Sequence, residues 1–238
     1  MIEINGLTKC YKNRIAVNEL SLKIDDGEIF GLLGLNGAGK TTTIKMLSGI
    51  AEPTKGSATV YGHALSDVEG LKSVIGISPQ ESAVSPVLTV KENLVFVATL
   101  YGFDNKDAKT RAENLMRKFD LIDRVKDKAK SLSGGLCRRL SIAMALISEP
   151  KVLFLDEPTL GLDILARREL WSIIKSLKKE MTVVLTTHYL EETEALCDKI
   201  AIMRDGKLVA VGTSDELIKL SGKENFEEAF IKLSGESA

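Results

Sequence analysis

The sequence predicts an α/β fold, a parallel sheet covered on both faces by helices, with a helical block inserted into it. Three observations carry this reading. Short, continuously apolar runs at 28–33, 152–155, 182–186 and 200–203 have the length and composition of strands buried on both faces. In the second half of the chain these runs alternate with helical segments, at 164–179 and 190–197, the βαβ rhythm of a parallel sheet. Between about residues 90 and 146 the pattern is helical instead, with Leu94, Val97 and Tyr101 recurring at helical spacing.

In chain order, strands are expected at 2–7, 20–24 and 57–61, joined by Gly- and Asn-containing turns. The run at 28–33 leads into a glycine-rich loop and a helix over 40–48, and 74–78 is a further strand. The charged stretch 104–127 reads as solvated helix surface. In the helix at 164–179, Leu170, Ile174 and Leu177 form the core stripe, and Trp171 joins the core rather than a ligand. The tail from Ser214 has room for two short helices. Residues 1–80 thus form the first part of the core, about 81–148 the helical insert, 149–212 the rest of the core and 213–238 the tail.

The chain has 238 residues, 44% hydrophobic and 27% charged, which suits one large domain. A formal net charge of -1 offers no broad attraction to nucleic acid or anionic lipid. The longest apolar runs, such as 94–100, fall far short of the ~20 residues that cross a bilayer. The opening Ile2-Glu3-Ile4 has the look of a strand, not of a signal peptide. Cys10, Cys137 and Cys197 are scattered and odd in number, so neither a disulfide framework nor a metal site is expected. His63 lies in a polar turn without functional context.

Gly34-Leu35-Asn36-Gly37-Ala38-Gly39-Lys40-Thr41 fits the phosphate-binding spacing G-x-x-x-x-G-K-[ST] between strand and helix. The glycines let backbone N–H groups turn inward around phosphate oxygens, and the helix start adds the positive end of its dipole. Lys40 would reach the β- and γ-phosphates, and the Thr41 hydroxyl would ligate Mg²⁺. A glycine-rich structural turn is the plainer alternative, but it explains neither end of the motif. At 152–157 four apolar residues end in Asp156 and Glu157, at the strand edge where ligands of open α/β sheets bind. Asp156 would hold Mg²⁺ through water, and Glu157 would act as general base on the attacking water. The strand at 182–187 delivers His188 to the same edge, and the one at 74–78 is followed by Gln80.

Leu132-Ser133-Gly134-Gly135-Leu136 is similar to the LSGGQ signature of ABC ATPases, and the resemblance covers nearly the whole chain in the family's order. It implies a P-loop NTPase (RecA-like) core with an N-terminal antiparallel β subdomain and an inserted α-helical subdomain. Tyr11 matches the aromatic that stacks on adenine, residues 34–42 including Thr42 match Walker A, and Gln80 matches the Q-loop, a further catalytic and metal-binding position. Asp156 and Glu157 match Walker B, the run ending at Asp163 the D-loop, and His188 the switch histidine. The resemblance further implies that two such subunits bind ATP between one chain's P-loop and the other's Ser133, Gly134 and Gly135. Dimer closure then drives separate transmembrane permease subunits, which hold the ATPase peripherally on the cytoplasmic face of the membrane. Segments 86–89 and 94–101 are the docking surface so implied, unless they serve only as helical core.

The stretch 88–102 and Thr187-His188-Tyr189-Leu190-Glu191-Glu192 resemble the branch that exports antibiotics, lipids or polysaccharides. Leu136, Cys137 and Ile164 depart from the family's commonest residues at those positions. A GTPase is disfavoured because Asn105-Lys106-Asp107-Ala108 lacks the guanine-reading carboxylate. An ABC ATPase uncoupled from transport, acting on DNA or ribosomes, would need long insertions or a second ATPase domain. A module that senses ATP without hydrolysing it would have no use for Glu157 and His188. The substrate is not written in the chain, because the translocation path belongs to the partner.

Overall fold

The computed structural model describes residues 1–81, 83–178 and 180–235. The first two strands, β1 (Ile2–Tyr11) and β2 (Arg14–Ile24), form a long antiparallel hairpin, with β3 (Ile29–Leu33) following. After helix α1 (Lys40–Leu47) come β4 (Lys55–Val60), β5 (His63–Ala64), α2 (Val68–Val74) and β6 (Ile75–Ser78). The helical block contains α3 (Val90–Leu100), α4 (Asn105–Lys118) and α5 (Gly134–Ala145). The core resumes with β7 (Val152–Asp156), α6 (Ile164–Leu177), β8 (Thr182–Thr187) and α7 (Leu190–Leu196). It closes with β9 (Lys199–Arg204), β10 (Lys207–Gly212), α8 (Ser214–Ser221) and α9 (Phe226–Ser234).

Two sheets result. One is antiparallel, in the order β2-β1-β4-β5; the other runs β10-β9-β3-β8-β7-β6. The pairs from β9 through to β6 are parallel, and β10 alone is antiparallel. This is the α/β fold expected, with the antiparallel N-terminal sheet and the helical block.

Alternation along buried strands divides the interior. Leu153, Leu155, Val183 and Leu185 face the helical block and α6, whereas Phe154, Val184, Phe30 and Leu32 face α1 and the antiparallel sheet. A third cluster joins Leu33, Ile200 and Ile202 to Leu217, Phe226 and Phe230 of the C-terminal helices. Every residue of β3, β7 and β8 is buried, which is why these strands read as continuous apolar runs.

Several boundaries differ from expectation. The apolar pattern predicts an opening strand that ends at residue 7 and a second that begins at residue 20. Pairing instead continues to Tyr11 and Arg14, through register shifts between Ile4 and Leu7, Leu7 and Lys9, and Lys9 and Cys10. Helix α6 ends at Leu177, and Lys179 lies outside the described residues. Tyr101 caps α3 and is exposed rather than continuing the buried stripe of Val90, Leu94 and Ala98. The charged stretch around α4 is not only solvated surface, since Ala108, Ala112, Met116, Phe119 and Leu121 lie in the core. Trp171 is half-buried against that core, and its indole N–H donates to Glu192 at 3.0 Å.

Register positions the site. Leu32 pairs with Thr186, which also pairs with Asp156, and Leu33 pairs with Thr187. Gly34, Glu157 and His188 therefore leave neighbouring strands within about one residue of each other along the sheet edge.

Candidate functional site

The loop from Gly34 to Lys40 needs its glycines for space and for backbone conformation. A Cβ on Gly34 would lie 2.3 Å from the Met203 carbonyl oxygen, and one on Gly39 would lie 2.6 Å from that of Ala16. Gly37 and Gly39 also have φ of 86° and 101°, which L-residues with side chains rarely adopt. Helix α1 opens at Gly39 with no side-chain cap, so its first-turn N–H groups are available to an anion.

Lys40 is buried, and its ammonium donates to the Gly34 carbonyl at 2.6 Å and the Leu35 carbonyl at 3.2 Å. It lies 3.5 Å from Glu157 Oε1. Burial pulls the Lys40 pKa down, and the carboxylates of Glu157 and Asp156 oppose that shift. The Thr41 hydroxyl donates to Asp156 Oδ1 at 2.9 Å, and the same oxygen accepts from the Thr186 hydroxyl at 2.5 Å. Glu157 Oε2 lies 2.9 Å from His188 Nδ1; a carboxylate only accepts, so this bond places the proton on Nδ1. One chain of contacts therefore links the loop lysine, Glu157 and the histidine, and a second joins Thr41, Asp156 and Thr186 beside it.

Lys40, Thr41, Glu157 and His188 border a cavity of about 730 Å³, lined also by residues 36–39 and 42, Tyr11, Arg14, Ala16, Gln80 and Leu160. Tyr11 is 46% exposed there, with the Lys9 ammonium 5.0 Å from its ring centroid. The β1–β2 turn puts Arg14 on the same wall, near Gly37, a residue that sequence reasoning passed over. Its only sequence signal was a basic residue three positions after Tyr11.

The Ser133–Gly135 segment and Asp163 do not line this cavity. Ser133 is the N-cap of α5, accepting from Leu136 N–H at 3.4 Å, and Asp163 is the N-cap of α6, accepting from Ala166 N–H at 2.9 Å. Each such cap contributes about 1 kcal/mol to its helix. The cap leaves the Ser133 hydroxyl proton free to donate. His63 pairs with Asp67 at the start of α2, and Cys10, Cys137 and Cys197 form no disulfide among the described residues. Among the described residues no helix is long and apolar enough to cross a membrane.

The sequence profile of the ABC transporter family matches residues 17–160. The chain belongs to this family. The ABC chain is 41% identical over 224 residues to the linearmycin resistance ATP-binding protein LnrL of Bacillus subtilis, covering 93% of this chain and 72% of that protein. It is also 41% identical over 218 residues to the human phospholipid-transporting ATPase ABCA3, covering 90% of this chain but only 13% of that far longer one. Its fold matches an ATP-binding cassette solved as a dimer in a post-hydrolysis state with ADP and Pi. That match has a TM-score of 0.81 at 25% identity, over 90% of this chain and 98% of the other. This ABC chain therefore has the family and the fold of an ATP-binding cassette, as the order of its motifs implied.

Proposed function

We propose that this chain is the Mg²⁺-dependent ATPase subunit of an exporter, coupling ATP-driven dimerisation to a separate membrane permease. The observation that carries this reading is the contact chain Lys40–Glu157–His188, set beside Thr41–Asp156 at the ends of adjacent parallel strands. Backbone N–H groups of the Gly34–Lys40 loop and the α1 start bind the phosphates, and Lys40 exchanges its carbonyl partners for phosphate oxygens. That exchange frees Glu157 Oε1 to accept a proton from water, while His188 holds Oε2. Gln80, on the cavity wall, would orient the water and help to hold the metal.

The donor set fits magnesium. Thr41 and Asp156 offer hard oxygens, already within 2.9 Å of each other, beside the phosphate loop. Among the described residues no cluster of three or more His, Cys, Asp or Glu forms a ligand cage, in keeping with an ion that takes its remaining ligands from phosphate and water. Held there by Thr41 and Asp156, Mg²⁺ would supply positive charge that offsets the negative charge developing on the phosphates.

Ser133, Gly134 and Gly135 complete the site of a second ABC subunit packed head to tail, with Asp163 beside them. None of the three lines the phosphate cavity, and Gly134 borders a second, smaller one beside Gln80, Glu157 and Leu160, which supports that reading. The permease docks on Val87, Phe96, Leu100 and Tyr101, which remain exposed (65%, 52%, 69% and 49%) while Leu94 and Ala98 of the same helix are buried. Export is favoured by relatives named for antibiotic resistance and phospholipid transport. Through the permease the chain sits on the cytoplasmic face of the membrane. Affinity purification from detergent-solubilised membranes tests the proposal. A multi-spanning membrane protein is expected to co-purify; a chain that purifies alone and hydrolyses ATP at full rate without one points to the uncoupled alternative.

Two substitutions follow from this geometry. Tyr11→Ala should weaken ATP binding by about 0.5–1.5 kcal/mol, and Tyr11→Phe should be mild, because stacking needs the ring and not the hydroxyl. GTP should also be accepted, which nucleotide titrations check. Leu136→Gln should change the maximal ATPase rate by less than about threefold, under ~1 kcal/mol of barrier. The Leu136 N–H serves the Ser133 cap and its side chain packs against the helical core, so glutamine restores no missing phosphate donor. A large gain in steady-state rate would show a degenerate site that needs a competent partner.

A further inference from the structure

Helix α5 carries Ser133–Gly135 at its start, and one turn further on it carries Arg138, which is buried. The Arg138 guanidinium forms no ion pair among the described residues, in contrast to Arg139, which pairs with Asp120 and Glu169. It donates to three backbone carbonyls instead: Nε to Pro158 at 3.0 Å, Nη1 to Pro79 at 2.5 Å and Nη2 to Asp156 at 2.6 Å. These carbonyl dipoles replace the water that burial removes from the charge.

The three acceptors lie at functional points of the chain. Pro79 immediately precedes Gln80, and Asp156 and Pro158 flank Glu157. Glu157 has φ of 46°, the left-handed region that a residue with a Cβ rarely enters and that surrounding contacts must enforce. The peptide plane between Asp156 and Glu157 is pinned at both edges. Its carbonyl accepts from Arg138, and its N–H donates to the Thr186 hydroxyl at 2.9 Å. On the other side of Glu157 the Pro158 carbonyl is held by the same guanidinium.

From this arrangement we infer that Arg138 is a positioning residue for hydrolysis, holding Glu157 in its left-handed conformation and tying it to Gln80 and the signature helix. The inference rests on the proposed role of Glu157 as general base. It gives α5 a direct mechanical link to the base, since any shift of that helix against the sheet moves the carbonyls on both sides of Glu157. Arg138 is not alone in fastening α5 to the sheet: the Ser141 and Ser78 hydroxyls share a hydrogen bond of 2.9 Å between α5 and β6.

The test is steady-state ATPase kinetics on Arg138→Met, Arg138→Lys, Glu157→Gln and the Arg138→Met/Glu157→Gln double variant, with thermal melts for folding and single-turnover rates for the slow variants. Arg138→Met should lower kcat at least ~30-fold and change KM for ATP less than about threefold, the split of a group that acts only in the chemical step. Arg138→Lys offers a point charge in place of the fork, and should lower kcat about 3–10-fold. On the Glu157→Gln background, Arg138→Met should cost less than about threefold more, because the group it positions is already gone.

A kcat for Arg138→Met within threefold of the parent overturns the inference, and so does a full ~30-fold loss on top of Glu157→Gln. If the methionine variant does not fold, a folded Arg138→Lys with the parent's kcat overturns it equally. Failure of the base assignment is separately visible, as near-parental turnover by Glu157→Gln alone.

Discussion

Glu157→Gln is expected to bind Mg-ATP at near-parental affinity and to hydrolyse it ~10²–10⁴-fold more slowly, the loss typical of a positioned general base. Glutamine keeps the shape of the side chain and its acceptor oxygen. What it removes is the charge that takes a proton from water, together with the ion pair to Lys40 at 3.5 Å and the charged partner of His188. Both contacts are made at the edge of the cavity, and neither holds the sheet together; β7 and β8 are buried along their whole length by apolar packing. Folding should therefore survive, and a melting temperature near the parent's is part of the expected result. Steady-state turnover and a nucleotide titration on the same preparation separate a catalytic loss from a binding loss. Turnover within a few-fold of the parent would remove Glu157 from the chemistry.

Gly135→Asp is the second large effect expected, a loss of at least ~10²-fold in turnover, the scale of losing preorganised charge stabilisation. The side chain would place a carboxylate against the phosphate of the nucleotide held by the other subunit, where a helix start otherwise offers N–H donors. In the isolated chain the substitution is tolerable. An acid in the first turn of α5 suits the helix dipole. A Cβ at this position would lie 3.0 Å from the Ala166 Cβ of α6, however, so steric pressure accompanies the charge. Gly135→Ala isolates that pressure. Alanine should reduce the rate by less than about tenfold if charge dominates, since a shift of a few tenths of an ångström relieves the contact. An alanine variant as inactive as the aspartate would mean that the α5–α6 spacing, not the charge, controls this position.

The parts of the site legible in the sequence were those where strand burial and motif spacing reinforce each other. The Gly34–Thr42 loop, Asp156–Glu157 and His188 each follow a fully buried strand, and an apolar run ending abruptly in polar residues marks a sheet edge without any coordinates. Tyr11 is legible only through family resemblance, because it lies beyond the strand expected at residues 2–7, and the register shifts of β1 are invisible to a two-residue period. Arg138 was not legible at all. A basic residue after a signature segment reads as helix surface, and its carbonyl partners lie 18, 20 and 59 residues away along the chain. Ser133 and Asp163 were read for the roles that the resemblance implies, while their helix-capping bonds emerge only from three-dimensional geometry.

The central claim is that one ATP is shared between the phosphate loop of one subunit and the signature helix of another. Sedimentation velocity of the slow Glu157→Gln chain, with and without saturating Mg-ATP, tests it most directly, because nucleotide persists in that variant. The account predicts a monomer without nucleotide, a dimer with Mg-ATP, and loss of that dimer when Gly135→Asp is added. A Glu157→Gln chain that binds Mg-ATP yet stays monomeric, or that dimerises equally well with Gly135→Asp, would contradict it.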